Sequence, residues 1–540
     1  MSRQGRFHRS TIRAVAARIA CAGLLALAGC GGGGGGSGPA APAAPTPPAP
    51  TAPAITAQPT DLGLTPGQTA TFSVTADGTA PLAYQWRRDG VAITGATASS
   101  HSFSAAPGDH GAVFSVVVSG PGGSVTSRDA TLSVASTSLI SSLRRISVAS
   151  DGTQANGRSQ DPQPSADGRY VVFRSSASNL VAGDTNGVDD VFVHDVVTEQ
   201  TTRVSVASDG TQANSTSGQP SISADGRYVV FLSSATNLVL GKTTPHNDVF
   251  VHDRQTGQTT RPVLGTLGEE PNDHQVAPFI SGDGRWIVFQ TQASNLGVGD
   301  PLASSDVFVV NRESGLLSWA GAALGATIGT SLATDGQVIQ ALTHAGDAVL
   351  VSGGMAGWAL SICPNPAAPC QQGNRSYQGL FNEYGLWPAL AGNGSAIAFG
   401  APDYANFVAN DSNSYTDVFV YDYASLSIQR ISLAGDGSQA DGTSNRPSFS
   451  RDGRYVAFWS YASNLIAGAT TTQSNVFVRD RQTRQTRQAS LTATGGQPNG
   501  ITPQGVISAD GSAVVFTSAA SNLVSGDTNG QWDIFIAPRP

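Results

Sequence analysis

Three stretches of the chain set oxygen-bearing side chains at one spacing: Asp184-x-Asn186-x3-Asp190, Asp411-x-Asn413-x3-Asp417 and Asp527-x-Asn529-x3-Asp533. Carboxylate and amide oxygens at alternate loop positions are what a hard divalent cation takes, so the pattern points to Ca2+. No Glu closes any of these loops, and Lys242, Pro301 and Thr470 interrupt the pattern where it would recur. The competing reading is that Asp and Asn form side-chain turns while the last Asp caps a strand. His194 and His252, each in "VFVHD", suggest a metal pair, but their counterparts along the chain are Val310, Tyr421, Arg479 and Ala537. A position holding all of these reads as an exposed strand site. The sequence has no Gly-x-Ser-x-Gly elbow, no His-Glu-x-x-His and no phosphate-binding loop.

These residues lie in a repeat. "SADGRYVVF" (165–173 and 223–231) recurs as "SGDGRWIVF" (281–289), "SRDGRYVAF" (450–458) and "SADGSAVVF" (508–516), with weaker copies at 344–352 and 391–399. Gly168, Gly226, Gly284, Gly346, Gly394, Gly453 and Gly511 mark the copies, about 58 residues apart, a period that suits four short strands per repeat. "DVFV" and a third element, "TRVSV" (202–206), "QRISL" (429–433) and "TRQASL" (486–491), keep step. The loop "SNLVAGDTNG" follows the first copy and returns as "SNLVSGDTNG" after the last. The repeats resemble the WD-like propeller repeats of TolB-type proteins, which implies an all-β, seven-bladed β-propeller over 143–540. Six blades is the alternative count, because the stretch at about 340–385 lacks both "SNL" and "DVF". The last copy stops after its third strand, and a spare fourth strand, "RRISV" (144–148), stands ahead of the first. Pairing of the two would close the ring and remove its open edges. The long Asp-, Asn- and Gln-rich connections then emerge on one face, which is the expected binding surface.

The front of the chain is an address. Residues 1–29 hold a basic start and the apolar run Ala14–Ala28, broken only by Arg18, too short for a membrane span. Leu27-Ala28-Gly29-Cys30 resembles the lipobox of bacterial lipoproteins, which implies cleavage before Cys30 and acylation of its thiol and new amine. By the same resemblance, Gly31 rather than Asp after the cysteine favours the outer membrane. Residues 30–53 are Gly-, Pro- and Ala-rich and read as a tether. With Cys21 removed and Cys30 acylated, Cys363 and Cys370 in "CPNPAAPC" are the free thiols left, and an oxidising envelope would join them in a local disulfide.

Between the tether and the repeats, residues 54–135 alternate apolar and polar positions with Gly turns, and 136–142 is a linker. Trp86 follows Phe72 at the spacing expected between strand B and the core Trp of strand C, and the segment resembles a bacterial immunoglobulin-like domain. It carries no cysteine pair, so Phe72 with Val116 or Val117 would fill the space of the usual disulfide. A spacer is the preferred role.

Composition narrows the function classes. Gly 63 and Pro 30 with only 13% charged residues suit short strands and turns rather than helices. The formal net charge is −8, and loss of the five leader arginines takes the mature chain to about −13, which repels nucleic acid. The expected function is a lipid-anchored, non-catalytic envelope protein whose propeller binds a protein or glycan, with no cofactor beyond Ca2+. The runner-up is a polysaccharide- or peptide-active enzyme using the axial channel.

Overall fold

The computed structural model describes residues 50–540 apart from breaks at 66, 89, 107–108, 110–111, 135–139, 266, 298–305, 320–337, 343–347, 355–356, 364–385, 393–394, 402–407, 409–410, 423–424, 426 and 468–472. The leader, Cys30 and Cys370 lie outside the described residues, as does the side chain of Cys363. The described residues are all-β, and no helix among them is long and apolar enough to cross a membrane.

The first region has two layers around one core. Thr69–Ser73 pairs with Ser100–Ser104 in one layer. The other is built on Ala83–Arg88, Ala112–Gly120 and Ala130–Val134, with Leu62–Leu64 running parallel to the last. Alternation places Phe72, Trp86, Phe114 and Val116 inward, all essentially inaccessible to solvent. Phe72 stacks on Phe114 at 4.4 Å between centroids, and Trp86 Nε1 donates to the Ala98 carbonyl at 2.9 Å. Rings therefore fill the centre, with Val116 rather than Val117 turned in.

Seven sheets follow among the described residues. Sheet one orders Ser159–Pro164, Tyr170–Ser175, Asp190–Asp195 and Gln200–Arg203; sheets two, three, five and six repeat that four-stranded meander. Sheet four has three described strands, Val338–Leu342, Ala348–Gly354 and Gly357–Cys363; its second and third run on until Gly354 faces Gly357, where the others open into a long loop. In sheet seven Arg144 pairs with Ile536 and Arg145 with Phe535, so the strand ahead of the first sheet is the fourth strand of the last. The first strands of successive sheets touch in turn, and that of sheet seven touches that of sheet one. This is a propeller arrangement, with the first strands innermost.

The repeat motifs now have physical jobs. The second- and third-strand phenylalanines meet as pairs, Phe173 with Phe192, Phe231 with Phe250 and Phe458 with Phe477 among them, 5.9–6.0 Å apart. These strands read as continuous apolar runs because neighbouring sheets cover both faces. In "SADGRY" Ser165 Oγ donates to Asp167 and accepts from Tyr170 N, which shapes the turn, and Gly168 takes φ +72. That turn also joins sheets: Ala166 N donates to Ala224 O, Ala224 N to Gly282 O, and Asp510 N to Ala166 O across the closure. Tyr170 presses on the turn of sheet two, and Arg254 of that sheet lies 4.2 Å over the ring while its Nη1 donates to Gly226 O at 2.6 Å.

A Cβ on Gly226 would stand 2.1 Å from Tyr170 Cδ2, at φ +73, whereas Gly183 shares that φ with nothing within 4 Å. Gly183→Ala should cost about 1–2 kcal/mol from the left-handed backbone alone. Gly226→Ala should cost about 2–5 kcal/mol, since overpacking adds to it. Chemical denaturation of the two variants side by side checks the difference.

Candidate functional site

The long loops lie at one end of the sheets, and most of their polar groups are already engaged with one another. The Asn of each "SNL" clamps the loop entering the sheet: Asn156 N donates to Asn179 Oδ1 at 3.0 Å, and Asn179 Nδ2 donates to Gln154 O at 2.9 Å. Asn237, Asn295, Asn464 and Asn522 repeat the clamp. The Leu after it is buried in each copy, as Leu180, Leu238, Leu296, Leu465 and Leu523. Neighbouring sheets are tied the same way, with Gln212 Nε2 donating to Thr185 Oγ1 at 2.6 Å and Asn186 Nδ2 to Ala213 O at 3.0 Å. The sequence reading took this polarity as a binding surface; much of it is internal fastening.

The three Asp/Asn loops bring their acids together as expected, but a guanidinium sits between them. Arg203 Nη1 lies 3.0 Å from Asp184 and 3.3 Å from Asp190. Arg430 lies 2.8 Å from Asp411 and 3.6 Å from Asp417. Arg145 lies 3.1 Å from Asp527 and 3.6 Å from Asp533. Asn186, Asn413 and Asn529 each donate Nδ2 to the last Asp of their own loop and to a carbonyl of the next sheet. An arginine thus places positive charge beside the acids at the point where the sequence pattern suggests a cation. Burial raises the pKa of Asp184, Asp417, Asp527 and Asp533, with the neighbouring acid adding to it in Asp184, Asp417 and Asp533. Sheet six has the neutral version, Gln488 Nε2 donating to Asn475 Oδ1 at 2.9 Å. In sheet two Lys242 lies 3.1 Å from Asp248, and Glu270 stands where other sheets have Gln. The arginines were visible as the first residue of "RVSV" and "RISL", but only the fold shows what they face.

His194 and His252 are buried, not exposed as expected. Thr201 Oγ1 donates to Val148 O, so His194 Nδ1 donates to Thr201 Oγ1 at 2.9 Å; His252, Thr259 and Val206 repeat the arrangement. Arg479 reaches Leu433 O from the same position at 2.9 Å. These side chains fasten one sheet to the preceding loop, and burial lowers the pKa of both histidines.

What remains open is the inner rim. Asp161, Gln219, Ala277 and Arg446 hold one position of the first strand in four sheets, each with φ between 47° and 56° and each before a proline. Left-handed φ at non-glycine residues costs energy and recurs at ligand sites. A bulge in the pairing with the second strand accompanies each. Asp161 receives Arg174 Nε at 3.1 Å, and Ala277 N donates to Gln219 Oε1 at 2.9 Å. This position was missed from sequence, where the one signal is a repeated x-Pro in an otherwise variable strand.

No family model and no curated protein matches the chain. Among solved structures it is similar to a TolB-type protein of Agrobacterium tumefaciens, at 12% identity and TM-score 0.30 over 71% of this chain and 91% of that one. A quinonprotein alcohol dehydrogenase-like protein of Bacteroides thetaiotaomicron gives 9% identity and 0.34 over 81% and 96%. The titin M3 domain gives 19% identity and 0.14 over 16% and 97%. Scores this low leave the architecture to rest on the strand pairing itself.

Arg430→Gln, which strands two acids, should destabilise by about 3–5 kcal/mol in urea unfolding. Adding Asp417→Asn, which copies the Asn475–Gln488 pair, should restore part of the loss. Millimolar Ca2+ should raise the melting temperature of Arg430→Gln and leave the parent unchanged. At the opposite end of the sheets Arg227 grips Asp253 bidentately and holds its pKa at about 2. A carboxyl with a depressed folded pKa adds stability above its unfolded value of about 4 and loses it as pH falls toward 2. Asp253→Asn should therefore melt below the parent at neutral pH, with the gap closing by pH 2.

Proposed function

We propose that the chain is an exported lipoprotein, acylated on Cys30, whose 30–53 tether and immunoglobulin-like spacer present a single seven-bladed propeller to a protein or glycan ligand. The envelope, and its outer membrane, is the proposed location, and Cys363–Cys370 is the proposed disulfide of the fourth blade. The ligand face is the long-loop end, and the role is binding rather than catalysis.

One observation carries this reading. The Asn that locks the long loop recurs in five of the repeats, at 179, 237, 295, 464 and 522, while side chains around the inner rim change from blade to blade. A scaffold held constant around a varied rim is suited to recognition of one extended partner. The acid at the strained inner position, Asp161, is committed to Arg174, which favours binding over acid–base chemistry.

Two experiments test it. Cys30→Ser should move the protein from the membrane fraction to the soluble envelope fraction, and retention in the membrane would remove the anchor. Detergent-solubilised full-length protein, applied to envelope extract and to a glycan array, should retain a specific ligand that loop-face variants lose. Ligand turnover in the same incubation would overturn the non-catalytic reading.

A further inference from the structure

We propose that Lys242 and Asp248 are joined by an amide bond between Nζ and Cγ, formed inside the folded chain with loss of one water. The proposal concerns the long loop of sheet two and stands whether or not the binding reading holds.

Comparison of the repeats with one another singles out the pair. Lys242 is the one lysine among the 30 Lys and Arg residues of the chain. Its side chain and that of Asp248 are both fully buried, and Nζ lies 3.1 Å from Oδ2, one bond from the carbon it would attack. In sheets one, five and seven the position of Lys242 carries Asp184, Asp411 and Asp527. The cations that serve the equivalent acids there are Arg203, Arg430 and Arg145. A guanidinium stays protonated and is no nucleophile, whereas a desolvated lysine amine is one.

The surroundings of Asp248 also differ from those of its counterparts. Asp190, Asp417 and Asp533 have both oxygens served, Oδ1 by Ser205, Ser432 and Ser147, and Oδ2 by Asn186, Asn413 and Asn529. In sheet two the serine position is Val263, and the asparagine position is Thr244, whose hydroxyl donates to Glu270 instead. Asp248 Oδ2 faces Lys242 and, at 3.0 Å, Arg261. Oδ1 is buried with no hydrogen-bond partner among the described residues. A buried carboxylate with one bare oxygen is a costly anion, and conversion to an amide removes both the charge and the bare oxygen. The bond would tie the loop to its strand where this sheet lacks the serine and asparagine contacts of the others.

The step balances without an oxidant or cofactor. A proton passes within the pair from the ammonium to the carboxylate and ends on Oδ1, since Oδ2 faces the Arg261 donor. The Nζ lone pair attacks Cγ, the Nζ–Cγ bond forms, and the charge developing on Oδ2 is held by Arg261. Nitrogen then gives a second proton to Oδ1, the Cγ–Oδ1 bond breaks, water leaves and the carbonyl reforms at Oδ2. The ammonium now donates to Thr244 O at 2.8 Å and His246 O at 2.9 Å, and the one remaining amide N–H keeps one of these acceptors. Two cations and two acids meet at this site before the step. Arg261 and Glu270, 3.9 Å apart, remain after it. Holding amine and carboxyl in contact gives an effective concentration on the order of 10^5 M or more.

The test is trypsin digestion of the detergent-solubilised full chain after denaturation, read by mass spectrometry. Arg227 and Arg254 bound a segment that holds both residues. A free Lys242 gives two peptides, 228–242 and 243–254. The amide blocks cleavage at 242 and gives one peptide, 228–254, lighter than its sequence by one water, with fragment ions placing the loss between 242 and 248. Lys242→Arg should give the two peptides with no loss. Arg261→Gln keeps both reacting groups and should slow formation of the link about a hundredfold, so freshly made protein of this variant should be cut at 242. Recovery from the parent of 228–242 ending in a free lysine, with no linked peptide, would overturn the proposal and leave an ion pair only. Loss of water from 243–254 with cleavage at 242 intact is a backbone imide and would overturn it too.

Discussion

Each sheet of the repeat buries both faces of its middle strands, and this constraint governs the rest. Phe173, Phe192 and their counterparts are inaccessible to solvent because a neighbouring sheet lies on each side. An open row of such sheets would expose apolar faces at its two ends. Here those ends meet: residues of sheet one share a core with Ala513, Val515, Ile534 and Ile536 of sheet seven. The two-residue pairing of Arg144–Arg145 with 535–536 is short, but what it carries is not only hydrogen bonds. Arg145 supplies the cation that Asp527 and Asp533 need, and Ser147 donates to Asp533, as Arg203 and Ser205 serve Asp190 inside sheet one. The seventh sheet is electrostatically complete only with a strand from the other end of the repeat region. Misplacing that strand would bury two acids without a partner, a penalty of several kcal/mol that selects the correct register.

Much of this was legible in the sequence because the repeat states each rule several times. The turn glycines, the paired phenylalanines and the displaced fourth strand could be read from period and position, and so could Phe72 and Trp86 as core of the first region. What could not be read was partnership between motifs. Asp184-x-Asn186-x3-Asp190 looks like a cation loop by itself; Arg203 becomes its counter-ion only when the fourth strand folds back along the third. Likewise, variety at the His194 position suggested exposure. The structure shows a buried site where His, Arg or an apolar group can each fill the space beside the preceding loop. Variety there reflects several solutions to one packing problem, whereas variety at Tyr415 and Tyr461, both exposed, occurs in solvent.

That contrast gives a rule for reading such a chain without relatives to compare. Seven copies of one unit in one molecule act as an internal alignment. A position that recurs through most of them answers to the shared scaffold, as Asn179, Asn237, Asn295, Asn464 and Asn522 do. A position that varies while buried answers to local packing, and its changes come in compensated sets. Asp190 with Arg203 becomes Asn475 with Gln488, and the added charge of Lys242 is matched by Glu270 where the other sheets keep Gln. Compensation of this kind keeps each buried polar group of a closed site beside a partner.

A position that varies while exposed has no partner inside the protein to compensate it, so its chemistry answers to something outside. Tyr415 and Tyr461 meet that description. On the inner rim the strained left-handed position carries Asp161, Gln219, Ala277 and Arg446, so the strain belongs to the scaffold and the side chain mounted on it does not. A propeller built this way can change its ligand by replacing rim residues one sheet at a time. The clamps beneath, closed by asparagine and arginine, hold the loops in place whatever the rim carries.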